Sequence, residues 1–171
     1  MLWRAWYEYN KAKSFVINDN NALSSSILTW SDISCYDYCD GEISTSVLGG
    51  APNYDANGNP VYNYQWNDVL LQTTQNAVGL CVDNNTNTAQ YMCVITDGQG
   101  CSDTLYQVLN QPDSLMVTSI VTSDYNLQDI SCYGGNDGKV KATGNGGANP
   151  YSFAWNTQPV QTTDIATNLS A

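Results

Sequence analysis

The chain has 171 residues, room for one large domain or two small ones, and an apolar content of 42%, which is sufficient for a folded core. Five basic residues against 16 acidic ones give a net charge of −11. Such a surface repels phosphate backbones and anionic lipid, which argues against nucleic-acid partners, and no stretch is apolar enough to predict membrane insertion. Because there is no histidine, Ser-His and Cys-His nucleophile pairs and His-based zinc sites are excluded. We therefore expect no enzyme, no metal site and no cofactor.

The six cysteines indicate an oxidising compartment, and so an extracellular or cell-surface location for a secreted protein. A zinc site would require close cysteine pairs repeated at a fixed offset, whereas only Cys35 and Cys39 lie close together in the sequence. Disulfides are therefore favoured. Six cysteines allow 15 pairings, and the spacing does not choose among them.

The amino-terminal stretch, "MLWRAWYEYNKAKSFVIND", lacks the apolar segment and the small-residue cleavage site of a signal peptide. If the protein is exported, this chain is either its mature form or a piece of something longer. Residues 2–13 are the one place where a helix can be argued, although their aromatic residues suit a strand equally well. The next residues, "FVIND", match "CVITD" at residues 93–97 with a constant step of 78. Residues 1–30 are therefore predicted to hold terminal strands of a preceding or neighbouring repeat.

Residues 31–112 are predicted to form a first β-sandwich repeat. "GEISTSVLGG" alternates apolar and polar residues and ends in Gly-Gly, which is typical of a strand followed by a tight turn. The runs "PVYNYQW" and "AQYMCVITDGQGC" place alternate large side chains on one face of a strand, and "TLYQVLNQP" is a further strand that proline ends. Large rings on one face predict a core that contains Tyr64, Trp66 and Tyr91.

Residues 113–171 repeat this pattern. "ISCYGGNDGKV" echoes the earlier "ISCYDYCDGEI" with a step of 97, and the tripeptide "GGA" recurs with the same step. "PYSFAW" then repeats "PVYNYQW" with a step of 89, because the first repeat carries eight extra residues in "NYDANGNP". Anchors in one order with one insertion indicate a duplicated domain. Phe153 and Trp155 are therefore predicted to be the core counterparts of Tyr64 and Trp66.

The spacing of the turns and two core positions predict the fold class. Turn signals recur about every 8 to 12 residues, which is typical of an all-β sandwich. Trp66 on a central strand and the Tyr-x-Cys pattern at Tyr91 are similar to those of immunoglobulin-like domains, although the cysteine spacing differs from that of antibody domains. The predicted fold is all-β, with tandem immunoglobulin-like β-sandwich repeats, the last one incomplete within the chain.

The series "SCYGGNDG", "GGANPYSFAW", "QTT" and "NLSA" resembles the SprB-type repeats of bacterial, gliding-motility-associated cell-surface adhesins. The resemblance covers roughly residues 33–171. It is close from Cys132 onward and looser before, where Cys39 intrudes, "NYDANGNP" is inserted and "VDNNTNTA" replaces a short turn. The resemblance implies surface display, adhesion or spacing, and the family's repeats carry no catalytic motif.

For the cysteines, the family pattern implies that Cys35 and Cys101 bracket one repeat and that Cys132 is the equivalent of Cys35 in the next. The remaining three are extras of the first repeat, and a disulfide among them is plausible although the pattern does not assign it: Cys39, Cys81 and Cys93.

Two explanations of the chain's termini remain open. The chain is a window from a tandem array, or its leading strand completes the unfinished last domain of a neighbouring copy by donor-strand addition. In the second case Phe15, Val16 and Ile17 are the donor residues, and a contact of this kind grows a fibre. The expected partners are therefore neighbouring copies of itself or flanking repeats.

Short motifs suggest further sites. The oxygen-bearing side chains of Asp55, Asn57 and Asn59 have the spacing of a calcium loop, but Pro60 occupies the position of the required glycine, and an Asn-Gly hairpin tip is favoured. Four positions fit N- or O-glycosylation patterns, with ordinary exposed loops as the alternative: Asn84, Asn168, Thr104 and Ser114.

We interpret the chain as an extracellular structural or adhesive repeat unit of a bacterial surface adhesin or fibre, possibly polymerising by strand addition. The alternative is a carbohydrate-binding β-sandwich module that binds surface glycans through an exposed row of aromatic side chains. Trp3, Tyr7 and Tyr9 lie outside the duplicated region and are the better candidates for such a contact surface. A hydrolase ranks third, since Glu8 and Glu42 are the sole glutamates and neither belongs to a recognisable acidic pair.

Overall fold

The computed structural model describes residues 21–83 and 85–170. Within these ranges the chain forms β-strands and no helix, which confirms the all-β prediction. The strands in chain order are β1 (Ser24–Ser31), β2 (Gly41–Leu48), β3 (Asn53–Tyr54), β4 (Pro60–Val61), β5 (Asn63–Trp66), β6 (Asn76–Leu80), β7 (Thr88–Thr96), β8 (Ser102–Asn110), β9 (Met116–Val121), β10 (Gly138–Asn145) and β11 (Ile165–Leu169).

Two antiparallel sheets make up the first repeat, which comprises β1 to β8. One sheet has the order β1-β2-β6 and the other the order β5-β7-β8. In the second sheet, Trp66 on β5 stands opposite Cys93 on β7, and the β7–β8 ladder runs without interruption from Thr88 opposite Asn110 to Thr96 opposite Ser102. The two-residue strands β3 and β4 form a small hairpin within the inserted "NYDANGNP" segment.

The two sheets of the first repeat share one core. Buried side chains come from β2 and β6 on one side and from β5, β7 and β8 on the other, together with two loop residues: Ile33, Ile43, Trp66, Ala77, Leu80, Val82, Tyr91, Cys93, Ile95 and Leu109. Tyr64 is half-buried and packs against this cluster. Strands with alternating side chains explain the arrangement, because inward residues at every second position of two facing sheets meet in one layer. The first repeat is thus a β-sandwich.

The second repeat comprises β9 to β11 and the residues that link them. Its sheet has the order β9-β10-β11, which reproduces β1-β2-β6. Ser24 opposite Leu48 in the first repeat corresponds to Met116 opposite Asn145 in the second, at steps of 92 and 97. β1 thus corresponds to β9 and pairs with β2, although residues 24–30 fall in the range predicted to hold terminal strands of another repeat; residues 1–20 lie outside the described residues.

Residues 151–155, here called the aromatic segment, are the counterpart of β5 but do not form the predicted strand. β5 owes its ladder to β7, and the described residues contain no counterpart of β7 or β8 in the second repeat. An extended segment without a hydrogen-bonded neighbour is not a strand, whatever its alternation. The difference therefore has a tertiary cause.

A Gly-Gly turn at the same place in each repeat explains why "GGA" recurs. Gly49 and Gly146 have φ angles of 72° and 70°, in the left-handed region that favours glycine. A Cβ on Gly49 would lie 2.3 Å from the carbonyl oxygen of Ala22, and one on Gly146 would lie 2.2 Å from that of Ser114. The turn therefore admits no side chain where the start of each repeat crosses it.

One disulfide, Cys39–Cys81, crosslinks the first repeat. Cys39 immediately precedes β2 and Cys81 immediately follows β6, so the bond joins neighbouring strands at one end of their sheet. It selects one pair from the three extra cysteines. The other four cysteines are free thiols: Cys35, Cys93, Cys101 and Cys132.

We predict that the double variant Cys39→Ser/Cys81→Ser lowers the free energy of unfolding of the first repeat by about 2–4 kcal/mol. The bond joins residues 42 positions apart and so restricts the unfolded chain. Urea denaturation followed by far-UV circular dichroism measures the loss. Reduction of the wild type should reproduce the effect and leave the double variant unchanged; equal stabilities before and after reduction would contradict the prediction.

Candidate functional site

The most distinctive feature of the second repeat is a groove between its sheet and the aromatic segment. The cavity has a volume of about 710 Å³. β9 and β10 form one wall, and the aromatic segment forms the other. The lining is mainly apolar and includes Leu115, Val117, Gly144, Tyr151, Phe153 and Trp155. We call this cavity the open groove.

The corresponding space in the first repeat is filled by β7 and β8. There Trp66 is 1% exposed, because β7 covers it with Cys93 and Ile95. In the second repeat Trp155 and Phe153 are only half-buried, while Leu115 and Val117 are 62% and 68% exposed. Exposed apolar side chains gathered around one cavity are uncommon on a protein surface and indicate a contact site.

The wall of the open groove has the same internal hydrogen bonds as its covered counterpart. The indole N–H of Trp155 donates to the carbonyl of Thr163 at 2.8 Å, and that of Trp66 donates to the carbonyl of Thr74 at 2.9 Å. The backbone N–H of each tryptophan donates 3.0 Å to the carbonyl of a glutamine, Gln161 or Gln72. The ring is therefore oriented by its own loop rather than by β7.

The two glutamines add a second local contact. Gln72 accepts from the backbone N–H of Val78 at 3.1 Å and donates to its carbonyl at 2.9 Å. Gln161 does the same with Thr167, at 2.8 Å and 2.9 Å. Each side chain thus imitates a strand neighbour and ties the tryptophan loop to the sheet. This contact explains why "QTT" recurs at the step of the aromatic segment.

Asp97 shows how the first repeat closes over its β7–β8 turn. Its carboxylate accepts hydrogen bonds from the backbone N–H groups of Ala51 at 2.8 Å, and of Gln99 and Cys101 at 2.9 Å. The bond from Ala51 is the main reason that the pKa of Asp97 lies below its usual value. Ala148, the counterpart of Ala51, lines the open groove.

A second carboxylate joins the start of the first repeat to β8. Asp103 accepts from the backbone N–H and the hydroxyl of Ser25, at 2.8 Å and 2.6 Å. Val117 occupies the position of Ser25 in the second repeat, so the polar lock is replaced there by an exposed apolar side chain. The sequence analysis missed Leu115 and Val117, because the resemblance of β9 to β1 is weak and appears only at a step of 92.

Burial determines the chemistry of two predicted core residues on β7. Tyr91 is 8% exposed, and its hydroxyl donates to the carbonyl of Cys81, which braces the corner after the disulfide. Burial raises the pKa of Tyr91. It also raises the pKa of the Cys93 thiol to about 11, so this thiol stays protonated and unreactive near neutral pH.

The remaining predicted cysteines lie at the surface. Cys35 and Cys132 occupy equivalent exposed loops, in which Asp40 and Asp137 accept backbone hydrogen bonds from the preceding serines at 3.0 Å and 3.1 Å. Cys101 is also exposed, in the β7–β8 turn. The two Asp-Gly motifs therefore serve as turn acceptors.

The glycosylation candidates have different settings. Thr104 is exposed on β8 and Ser114 is exposed just before β9, while Asn84 lies outside the described residues. Asn168 is exposed on β11, with a left-handed φ of 57°, where the first repeat has Gly79 at 66°. Asparagine tolerates this conformation better than most residues. Exposure makes three of these sites accessible, and their modification stays a prediction.

The calcium-like motif is a hairpin tip. Asp55 accepts from the backbone N–H groups of Asn57 at 2.9 Å and Asn59 at 2.8 Å, and from the side-chain amide of Asn59 at 3.0 Å. These bonds use the carboxylate within the loop. Residues 21–83 and 85–170 contain no group of three histidine, cysteine or acidic side chains that is arranged to hold a metal ion.

Several predicted contact residues cannot be placed, since Trp3, Tyr7, Tyr9, Glu8 and the donor candidates Phe15, Val16 and Ile17 lie outside the described residues. In the part of the chain that is described, no helix has the length and apolarity to cross a lipid bilayer.

Comparison with known proteins identifies the repeat type. Residues 125–159 match the family model of the SprB repeat. The chain carries a SprB repeat. The matched range includes the Cys132 loop, β10 and the aromatic segment, and so one wall of the open groove. No curated protein and no solved structure matches this chain.

The two tryptophans give a direct test of the covered and open states. Trp66→Ala should lower the free energy of unfolding by about 3–5 kcal/mol, because it empties a fully buried site. Trp155→Ala should cost less than about 2 kcal/mol, since much of this ring is already in contact with water in the free molecule. Urea denaturation of both variants measures the difference. Equal losses would show that the second core is covered in solution.

Acid should destabilise the first repeat. The pKa of Asp97 is lowered by folding, and such a group contributes stability above its unfolded pKa of about 3.9 that is lost as the pH falls through the folded pKa. We expect a nearly constant free energy of unfolding from about pH 7 to about pH 5 and a fall below about pH 4. Asp97→Asn should be less stable at neutral pH and lose less on acidification. A parallel pH profile for wild type and variant would contradict this assignment.

Proposed function

We propose that this chain is an extracellular structural and adhesive repeat segment of a bacterial cell-surface adhesin or surface fibre, without catalytic activity. The observation that carries the proposal is the SprB repeat at residues 125–159, together with its duplicate. The tryptophan, glutamine and threonine contacts recur bond for bond at a step of 89, so one scaffold has been built twice along the chain. Tandem copies of one sandwich extend a surface protein by a fixed length per repeat.

The covalent and surface chemistry supports a location outside the cell. The Cys39–Cys81 bond persists in oxidising compartments and is rare in reducing ones. Only 12% of the residues are charged, and the net charge of −11 discourages non-specific contact with anionic lipid and nucleic acid. Surface adhesins work in this setting, where neighbouring repeats and surface glycans are the available partners.

Assembly by strand addition is the finer part of the proposal. The open groove exposes apolar side chains beside an aromatic segment that pairs with no described strand. An added strand would supply main-chain hydrogen bonds along that segment, and its alternate side chains would enter the groove. A neighbouring copy or a flanking repeat would then complete the second sandwich.

A carbohydrate-binding module remains the alternative function, supported by exposed aromatic side chains. Trp30, Tyr54 and Tyr106 are 56%, 68% and 59% exposed, but they lie on three different strands, β1, β3 and β8. A sugar platform requires several rings on one flat face. Glycan-array binding that is lost in Trp30→Ala or Tyr106→Ala would favour the module over the adhesive repeat.

Surface display can be tested on intact cells that produce the protein. Mild protease treatment should remove the epitope of an antibody raised against the folded repeats, and a cytoplasmic control protein should survive the same treatment. Cells that lack the protein should attach less to their natural surface. An epitope that becomes accessible only after lysis would overturn the proposal.

A further inference from the structure

We propose that the open groove binds residues 12–19 of a second copy of this chain, in the register that β7 occupies in the first repeat. This inference rests on the proposed role as an assembling surface repeat and adds to it the identity and register of the incoming strand. It follows from three features: the template in the first repeat, the size of the side chains that line the groove, and the distribution of charge along the chain.

The first repeat provides the template for the register. On β5 and β7, Tyr64 stands opposite Ile95, Gln65 opposite Val94 and Trp66 opposite Cys93. Residues 15–19, "FVIND", match residues 93–97, "CVITD", at a step of 78. Transferred to the aromatic segment at its step of 89, this ladder places Ile17 opposite Phe153, Val16 opposite Ala154 and Phe15 opposite Trp155.

The same register assigns a role to the aspartate that ends the match. Asp97 follows β7 and accepts from the backbone N–H of Ala51 at 2.8 Å. Asp19 of the incoming strand takes the position of Asp97, and Ala148 takes that of Ala51. An aspartate at this position would close the end of the groove as it does in the first repeat.

Side-chain volumes in the groove fit the donor better than they fit β7. The donor has Phe15 where β7 has the much smaller Cys93. In the first repeat, Ile27 packs against the core and Thr45 is fully buried. Their counterparts in the groove wall are smaller, Ser119 and Ala142. The volume that these two substitutions release is available to the larger ring, as close packing of a shared core requires.

Charge separates the donor segment from the rest of the chain. Residues 1–18 carry three of the five basic side chains, Arg4, Lys11 and Lys13, and a single acid, Glu8. Residues 19–171 carry the other two basic side chains and 15 acidic ones. A cationic segment and an anionic body attract each other between molecules, which speeds encounter and weakens as salt increases. This asymmetry favours a second copy as the source of the strand.

Such a contact is heterologous, because the donor strand and the acceptor groove are different surfaces. Each molecule offers one of each, so the contact repeats from copy to copy without closing and produces a linear fibre. The proposal therefore predicts concentration-dependent head-to-tail oligomers.

A competing alignment makes the register testable. At the step of 92 that relates β1 to β9, "VIN" at residues 16–18 matches "VLN" at residues 108–110, which end β8. β8 pairs with β7 and not with β5. A donor of the β8 kind would therefore not pair with the aromatic segment, and its Val16 would not stand opposite Ala154.

Site-directed crosslinking distinguishes the two registers. In a background in which Cys35, Cys101 and Cys132 are serine, the full-length Val16→Cys chain is mixed with the full-length Ala154→Cys chain and oxidised with oxidised glutathione. The proposal predicts a heterodimer whose disulfide peptide, identified by mass spectrometry, joins positions 16 and 154. Ile17→Cys in place of Val16→Cys is the matched control and should crosslink poorly, because adjacent strand residues point to opposite faces. No crosslink, or equal crosslinking by the control, would overturn the proposed register.

Sedimentation velocity of single variants tests the groove itself. Ile17→Asp in the donor, or Val117→Asp in the groove, should weaken assembly by more than about tenfold, because either change puts an uncompensated carboxylate into an apolar contact. Val78→Asp is the matched control: Val78 is 50% exposed on β6, outside the groove, and its variant should assemble like the wild type. Lys11→Glu/Lys13→Glu should also weaken assembly at low salt.

Equal oligomer distributions for all these variants would overturn the strand-addition inference while leaving surface display, which is measured on cells, untouched. Failure of surface display with intact crosslinking would instead overturn the proposed function alone.

Discussion

The fold depends on how one tryptophan in each repeat is held and then covered. In both repeats the indole N–H donates to the carbonyl of a threonine eight residues further along, Thr74 or Thr163. These bonds are local, so each loop orients its ring without help from distant strands. Covering the ring is a non-local task that β7 performs in the first repeat, where Trp66 becomes 1% exposed. The described part of the second repeat has the same preformed loop and no such cover, and its other properties follow from that difference.

An oriented but uncovered ring makes the second repeat an acceptor. Leu115 and Val117 remain exposed around a cavity of about 710 Å³, beside an aromatic segment that pairs with no described strand. Burying these side chains would release apolar surface from water, and pairing the segment would satisfy its backbone. A rigid acceptor of this kind suits a protein that builds length from repeats, since each added strand both joins and completes a unit. Catalysis requires none of this, and the SprB repeat agrees with a structural role.

Much of the first repeat was predictable because its signals are periodic. Alternating aromatic residues identified β5 and β7, and the recurring "GGA" marked a turn that glycine alone can form. The disulfide was left open among three cysteines, since pairing depends on which strand ends meet and not on spacing. Asp97 and Asp103 read as turn and surface residues, yet they bind the backbone at the β7–β8 turn and at the start of β1. Contacts between residues so far apart in the chain leave no periodic signal.

The sequence by itself determined the all-β class, the duplication with its steps of 97 and 89, and the two tryptophan loops, because alternation and short-range hydrogen bonds are encoded within a few neighbouring residues. Only the tertiary structure decided that β1 belongs to the first sheet, that Cys39 pairs with Cys81, and that residues 151–155 form no strand. Each of these outcomes depends on a partner far away in the chain or on the lack of one among the described residues. The same alternating pattern is a buried strand where β7 lies beside it and the wall of an open groove where nothing does.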